Sequence, residues 1–287
     1  MRIAHFTDIH VELPLRASEL ASKRLAAWVN LRLMGRSHHF TQATIESLVA
    51  RISSEAPDLV VCTGDLTSTG TEREFVRARE LLAPLTDRFP FVCIPGNHDL
   101  YTPDGGPQFE RHFGVFANGA SHPFSRMFGE VEVIGLNAAR PALTSQGLVS
   151  QEQLTKLDAL LSEGTRPALV LSHYPLRGRH GRPYGPALRN LKNAAEVESV
   201  LSRHPRVAAV LHGHEHHGYR TEIPAQGRSI PSFNPGASGY ANLPSRRRTA
   251  HFNLYDLDAA GRIDVTRFAY DGRVFALEAG GAYATGG

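Results

Sequence analysis

The chain has 287 residues, 41% of them hydrophobic and 21% charged, which is ordinary globular chemistry and excludes wholesale disorder. A formal net charge of +3 mildly favours anionic partners but excludes a protein that coats nucleic acid. No stretch of ~18 apolar residues occurs, so no membrane-spanning helix is expected.

The N-terminus, Met1-Arg2-Ile3-Ala4-His5-Phe6-Thr7-Asp8, lacks a long apolar run before a small-residue cleavage site. A secreted precursor is therefore not expected, and the expected location is cytoplasmic. Ile3 to Phe6 reads as a strand. Thr41 to Ser54 has helix periodicity, with Ile45, Leu48, Val49 and Ile52 on one face and Pro57 just beyond. Leu59 to Cys62 is a strand. Thr71-Glu72-Arg73-Glu74 matches a capping box and opens a helix through Leu82. Phe91 to Ile94 and Val131 to Leu136 are strands. Ser150 caps a helix through Leu161, Ala168 to Leu171 is a strand, Asn193 to Ser202 a helix, and Val207 to Leu211 a strand. After Gly213 the pattern turns to strands separated by turn residues: Tyr219 to Ile223, Ser229 to Phe233, His251 to Leu257, Arg262 to Phe268 and Arg273 to Leu277. The alternation predicts an α/β chain. With no repeat and no long linker, one domain over 1–279 is expected, followed by a flexible tail at 280–287. Cys62 and Cys93 both lie in apolar runs and read as free, buried thiols in a reducing compartment.

Five of the apolar runs end in side chains that bind metals. Asp8 and His10 follow the first strand, and Asp65 follows Gly64 after the second. Asn97, His98 and Asp99 follow Gly96, His173 follows Leu171, and His214 and His216 follow Gly213. The carboxyl ends of strands line the ligand crevice of open α/β sheets, so five such ends can converge although they are far apart in sequence. Asp8, His10, Asp65, Asn97, His173, His214 and His216 offer only oxygen and imidazole nitrogen, a set suited to Mn, Fe, Zn, Co or Ni. Seven groups exceed one tetrahedral site, and two ions sharing one carboxylate is the economical arrangement. Two ions ~3.5–4 Å apart clamp the attacking and departing oxygens of a phosphoryl transfer and acidify a bridging water.

In order, Asp8-Ile9-His10, Gly64-Asp65, Gly96-Asn97-His98-Asp99, His173 and Gly213-His214-Glu215-His216 resemble the calcineurin-like metallophosphoesterase superfamily, block for block, over residues 8 to 216. The resemblance implies a four-layer α/β/β/α sandwich of two mixed sheets. It implies that Asp8, His10 and His216 hold one ion, that Asn97, His173 and His214 hold the other, and that Asp65 bridges them. The cofactors implied are two divalent ions, Mn2+, Fe2+/Fe3+ or Zn2+. His98 would face the substrate as a catalytic group, with Asp99 orienting its ring. His212 reads as a neighbour supporting the ligands, His217 as lying outside the motif, and His5, His38, His39, His112, His122, His204 and His251 as structural or solvated.

Phe233-Asn234-Pro235-Gly236-Ala237-Ser238 resembles the Pro-Gly-Ser turn near the end of many superfamily members, and Thr7-Asp8-Ile9-His10, Gly96-Asn97-His98-Asp99 and His173-Tyr174-Pro175 are similar to the class III cyclic-nucleotide phosphodiesterase group. That implies a small phosphodiester substrate such as a 3',5'-cyclic nucleotide, hydrolysed by a metal-bridging hydroxide, with no stable nucleic-acid complex. Residues 12 to 39 read as a basic amphipathic helical insertion at the rim of the site, either a lid or a peripheral membrane or acyl-chain contact made by Lys23, Arg24 and Arg32. The second reading carries an alternative substrate, a lipid-linked diphosphate of the UDP-2,3-diacylglucosamine type. A nuclease and a non-catalytic metal-binding module are further alternatives. In the loop after His173, Arg177 and Arg179 read as phosphate contacts and Tyr184 as a stacking platform, whereas Arg246-Arg247-Arg248 reads as a surface turn.

Overall fold

Two six-stranded mixed sheets carry the architecture of this computed structural model, which describes residues 1–19, 24, 39–119, 121–142 and 144–283. The strands are β1 (Arg2–Phe6), β2 (Leu59–Cys62), β3 (Phe91–Cys93), β4 (Phe124–Phe128), β5 (Val131–Gly135), β6 (Ala168–Leu171), β7 (Val207–Leu211), β8 (Tyr219–Ala225), β9 (Arg228–Asn234), β10 (His251–Leu257), β11 (Ile263–Tyr270) and β12 (Phe275–Leu277). One sheet runs β12-β11-β10-β1-β2-β3 and the other β4-β5-β6-β7-β9-β8. In the first, β1, β2 and β3 are parallel neighbours; in the second, β5, β6 and β7 are. These parallel strands are almost wholly buried, which is why their sequences are continuous apolar runs.

The helices are α1 (Gln42–Glu55), α2 (Glu72–Thr86), α3 (Gly105–Phe113), α4 (Gln151–Glu163) and α5 (Ala194–Ser202). Helix α1 buries Ile45, Leu48, Val49 and Ile52. Each such side chain contributes about 1.5–3 kcal/mol. The capping box of α2 forms as expected: the Thr71 hydroxyl accepts from Glu74 N, and the Glu74 carboxylate accepts from Thr71 N. The result is the α/β fold of two mixed sheets flanked by helices.

Two elements escape the sequence pattern. Helix α3 begins Gly105-Gly106-Pro107, which reads as a turn, yet Phe109 and Phe113 pack on Phe75 of α2 and hold it. Strand β4 is an edge strand with little alternation, because only Phe124 is buried. Strand β12 starts later than expected because the Asp271 carboxylate accepts from Arg273 N and Val274 N and makes a turn there.

Most of the expected insertion at 12–39, including Trp28, lies outside the described residues. Arg24 is described, and it does not point toward a surface. Its guanidinium is buried, donating to Thr69 O, Gly70 O and the Asp104 carboxylate. Tyr283 is also anchored rather than frayed. Its hydroxyl accepts from Asn253, its amide donates to Glu278, and the Arg267 guanidinium lies 4.9 Å above its ring. Among the described residues, no helix is long and apolar enough to cross a membrane.

Candidate metal centre

The carboxyl ends of β1, β2, β3, β6 and β7 meet between the two sheets. Backbone hydrogen bonds tie their loops together: Asp8 N donates to Gly64 O, His10 N to Asp65 O and Gly213 N to His173 O. Close approach needs two small residues. A Cβ on Gly96 would stand 2.1 Å from Asp65 Oδ1, and one on Gly213 would stand 2.1 Å from Thr7 Oγ1. Five of the seven expected ligands occupy the left-handed region, with φ of 51° at Asp8, 44° at His10, 53° at Asp65, 73° at His214 and 62° at His216. Each such residue costs on the order of 1–3 kcal/mol, a strain that surrounding structure must enforce and that gathers at functional sites.

Two overlapping groups result. Ligand atoms of Asp8, His10, Asp65 and His216 lie within 4.8 Å of one another, and so do those of Asp65, His173 and His214. Asn97 joins the second group, with Oδ1 2.8 Å from His214 Nδ1 and 3.2 Å from His173 Nε2. Asp65 Oδ1 accepts from His98 N, so Oδ2 is the oxygen that faces both groups, 3.3 Å from His173 Nε2 and 3.7 Å from His10 Nε2. Carbonyls fix two of the imidazoles. His173 Nδ1 donates to Thr63 O and His214 Nε2 donates to Arg189 O, which leaves the opposite nitrogen of each ring for the centre.

The electrostatics fit a cation. Asp8 Oδ1 is buried and has no hydrogen-bond partner; His216 Nε2 is 3.3 Å from it and His10 Nε2 3.6 Å. Burial alone would raise both carboxylates, yet the facing rings hold Asp8 and Asp65 well below the ordinary range. Burial favours neutral His173, but the Asp65 charge pushes it up to about 9. His214 is driven down by burial and by His173. The pair of buried carboxylates thus demands positive charge, and an oxygen and imidazole donor set without thiolate suits a borderline or hard divalent ion.

His98 lies beside this centre, edge-on to His10 at 4.7 Å. Its expected partner differs. Asp99 does not reach the ring, because Oδ1 accepts from Thr67 N and Thr67 Oγ1 and Oδ2 accepts from Gly96 N. Burial raises Asp99 to about 7. The His98 ring is instead oriented by the Ser68 carbonyl, which accepts from Nδ1 at 2.7 Å, and by Tyr101, stacked at 5.6 Å. Nε2 is then the ring's remaining polar atom.

A cavity of about 1230 Å³ opens over His98 and the ligands. Arg179 lines it as expected. Arg177 does not, since its guanidinium is bound to Glu198 and to Gly181 O. Tyr184 lines the cavity but is buried, with its ring nearly perpendicular to that of His214 at 6.1 Å between centroids, and does not stand out as a platform. Arg246 and Arg248, read from sequence as a surface turn, are on the cavity wall, as are His39 and His217. His5 is structural, buried between Tyr255 and Thr63, and His212 is buried against Tyr219 and Asn234.

Strand ends that deliver carboxylate, amide and imidazole groups to one point beside an open cavity suit a metal-dependent hydrolase. The chain belongs to the calcineurin-like phosphoesterase family, whose sequence profile matches residues 1–218. A probable cyclic nucleotide phosphodiesterase of Vesicomyosocius okutanii is 25% identical over 218 residues, covering 75% of this chain and 85% of that protein. The 3',5'-cyclic adenosine monophosphate phosphodiesterase of Pseudomonas aeruginosa is 28% identical over 238 residues, covering 77% and 79%. In structure the chain is similar to a dimetal phosphatase from Danio rerio, with a TM-score of 0.62 at 16% identity over 96% of this chain and 98% of the other. At that identity the likeness shows the fold.

Proposed function

We propose that the protein is a phosphodiesterase with two divalent ions, acting on a small phosphodiester such as a 3',5'-cyclic nucleotide. The observation that carries this reading is the pair of overlapping donor groups sharing Asp65 Oδ2. Asp8, His10, Asp65 and His216 would hold one ion, and Asp65, Asn97, His173 and His214 the other. Bound there, the ions supply Lewis acidity toward phosphoryl oxygens and a hydroxide near neutral pH. Around them, the chain's own groups set the geometry. Thr63 O and Arg189 O keep two imidazoles in the tautomers that present a lone pair. Ser68 O and Tyr101 aim His98 so that its Nε2, when protonated, donates to a phosphoryl oxygen or to the departing alkoxide. The buried thiols Cys62 and Cys93 suit a reducing cytoplasm, which we take as the site of action. The 28% identical relative named for cyclic adenosine monophosphate supports the choice of substrate.

The test is a panel assay of metal-reconstituted protein with cyclic nucleotides, bis-p-nitrophenyl phosphate, p-nitrophenyl phosphate and UDP-diacylglucosamine. Turnover of the diesters is expected, with Asp65→Ala losing bound metal and nearly all activity. Turnover of the monoester or the lipid diphosphate alone would refute the reading, as would an Asp65→Ala variant that keeps both ions.

A further inference from the structure

Five arginines line the cavity: Arg179, Arg182 and Arg189, which make a first bank from the segment after β6, and Arg246 and Arg248, which make a second from the turn before β10. Among the described residues, none of the five is paired with a carboxylate, whereas Arg177, two positions before Arg179, is spent on Glu198. The only side-chain acceptors recorded for the second bank are imidazoles. Arg246 Nη1 donates to His39 Nε2 at 2.8 Å and Arg248 Nη2 to His217 Nε2 at 2.9 Å. An accepting imidazole is neutral, so it orients a guanidinium without cancelling its charge and leaves most of its five donors for a ligand. A reacting diester brings one negative charge, which ions held at the donor groups, together with His98, would already meet. The second bank is therefore surplus to the reaction itself.

Its geometry is built rather than incidental. Residues 244–246 form a single 3-10 turn, closed by backbone hydrogen bonds between Leu243 and Arg248. Arg247 takes the left-handed conformation at φ 51°, so that Arg246 and Arg248 line the cavity and Arg247 does not. An aromatic ledge joins this turn to the centre. The Phe40 ring contacts the His10 and His216 rings at 4.5 and 5.6 Å, the Tyr240 ring lies 5.3 Å from Phe40, and the Arg248 guanidinium is 5.9 Å from the Tyr240 ring. The Tyr240 ring is buried, so a ligand leaving the centre along this path meets the half-buried Phe40 ring first and cationic charge second.

We infer that Arg246 and Arg248 form a subsite for a second phosphate, and that the substrate is a nucleotide-type diester whose one arm crosses the Phe40 ring and ends in a terminal phosphate. This inference rests on the phosphodiesterase reading but replaces its cyclic-nucleotide example with a linear diester, since a 3',5'-cyclic nucleotide has one phosphate and no arm to carry a second. Guanidinium is suited to a terminal phosphate because its planar fork binds two oxygens at once.

The test compares two dinucleotides that differ by one phosphate, ApA and pApA. Wild-type enzyme should favour pApA in kcat/KM by about tenfold, mostly through KM, the size of effect given by one or two charge-assisted contacts. In R246Q/R248Q the ratio should fall to near one, whereas in R179Q/R182Q it should persist. The wild type alone supplies a second measurement: the preference should shrink as NaCl is raised from about 50 to about 300 mM, because the contacts are solvent-accessible. Equal turnover of the two dinucleotides by wild type, a preference that survives in R246Q/R248Q, or one that instead disappears in R179Q/R182Q would overturn the assignment. Wild-type turnover of bis-p-nitrophenyl phosphate separates the two levels. If that ester is hydrolysed while the dinucleotides are treated alike, the subsite fails and the phosphodiesterase reading stands. If no diester is hydrolysed with any metal, both fail.

Discussion

Gly96→Ala is a one-methyl change that should disable the centre without touching a ligand. The added methyl carbon would stand 2.1 Å from Asp65 Oδ1 and 2.4 Å from Asp65 N, where real contacts essentially never fall below 3.0 Å. Gly96 is not in the left-handed region, so the backbone itself accepts alanine and the effect is purely steric. Relief requires the Asp65 loop to recede by about 1 Å, and overpacking of this kind costs roughly 1–3 kcal/mol of stability. The functional cost should be larger, since a 1 Å misplacement of reacting groups can remove about 10²-fold in rate. Asp65 Oδ2 serves both donor groups, so one displacement loosens both. Expected are a folded protein with a modestly lowered melting temperature, reduced metal content by elemental analysis, and at least ~10²-fold lower kcat/KM on bis-p-nitrophenyl phosphate. Gly106→Ala is the control, because its Cβ would meet nothing closer than Leu100 at 4.0 Å. Full metal content and activity in Gly96→Ala would refute the argument that this glycine exists to let Asp65 approach.

His98→Ala should keep the wild-type metal content and lose about 10²–10⁴-fold in rate, with a smaller loss for nitrophenolate esters that need little help in leaving; metal analysis and kinetics on paired leaving groups check this, and lost metal would contradict it. Stability should fall in acid through buried histidines that are not themselves expected ligands. Burial pushes His5 and His251 down to about 3, whereas unfolded histidine titrates near 6.5, so the unfolded chain binds more protons as pH drops from 6.5 toward 3. Each ring accounts for about 3 kcal/mol lost by pH 4, at roughly 1.4 kcal/mol per pH unit below 6.5. Urea unfolding of His251→Gln should show a shallower decline between pH 6.5 and pH 4 than wild type, and an unchanged slope would reject this account.

How much was legible depended on whether a feature was local. The strand ends were readable because each pairs an apolar run with a chemically distinctive side chain, and β1, β2, β3, β6 and β7 all end where the pattern places them or within a residue. The partner of His98 was not readable. Asp99 is adjacent in sequence, but Thr67, on the loop after β2, captures its carboxylate, and Ser68 of that same loop takes the ring. Arg177 and Arg179 are indistinguishable in a basic loop until Glu198 of α5 arrives beside one of them. Arg246 and Arg248 looked like a solvated turn because nothing local reveals that the turn folds over a cavity formed by strands far away. The left-handed ligands were invisible for a related reason: an aspartate or histidine carries no mark of the backbone strain that tertiary contacts impose on it.

The place of β1 has a consequence for how the protein comes into being. β1 is not an edge strand; it pairs in parallel with β2 and antiparallel with β10, so that Arg2 lies opposite Asp256. Asp8, which follows it, is held from the same distant region, since Ser238 N donates to Thr7 O and Gly239 N to Asp8 O. All seven expected ligands are synthesised by residue 216, and the family profile ends at 218, yet the strand that seals the first of them is made only when residue 257 has emerged. Contacts of such sequence separation carry a loop-closure cost that makes them slow to form. A nascent chain that has completed His216 therefore holds every expected donor before β10 is there to pair with β1, so the geometry that gathers those donors belongs to the completed sheet rather than to the motif-bearing segment alone.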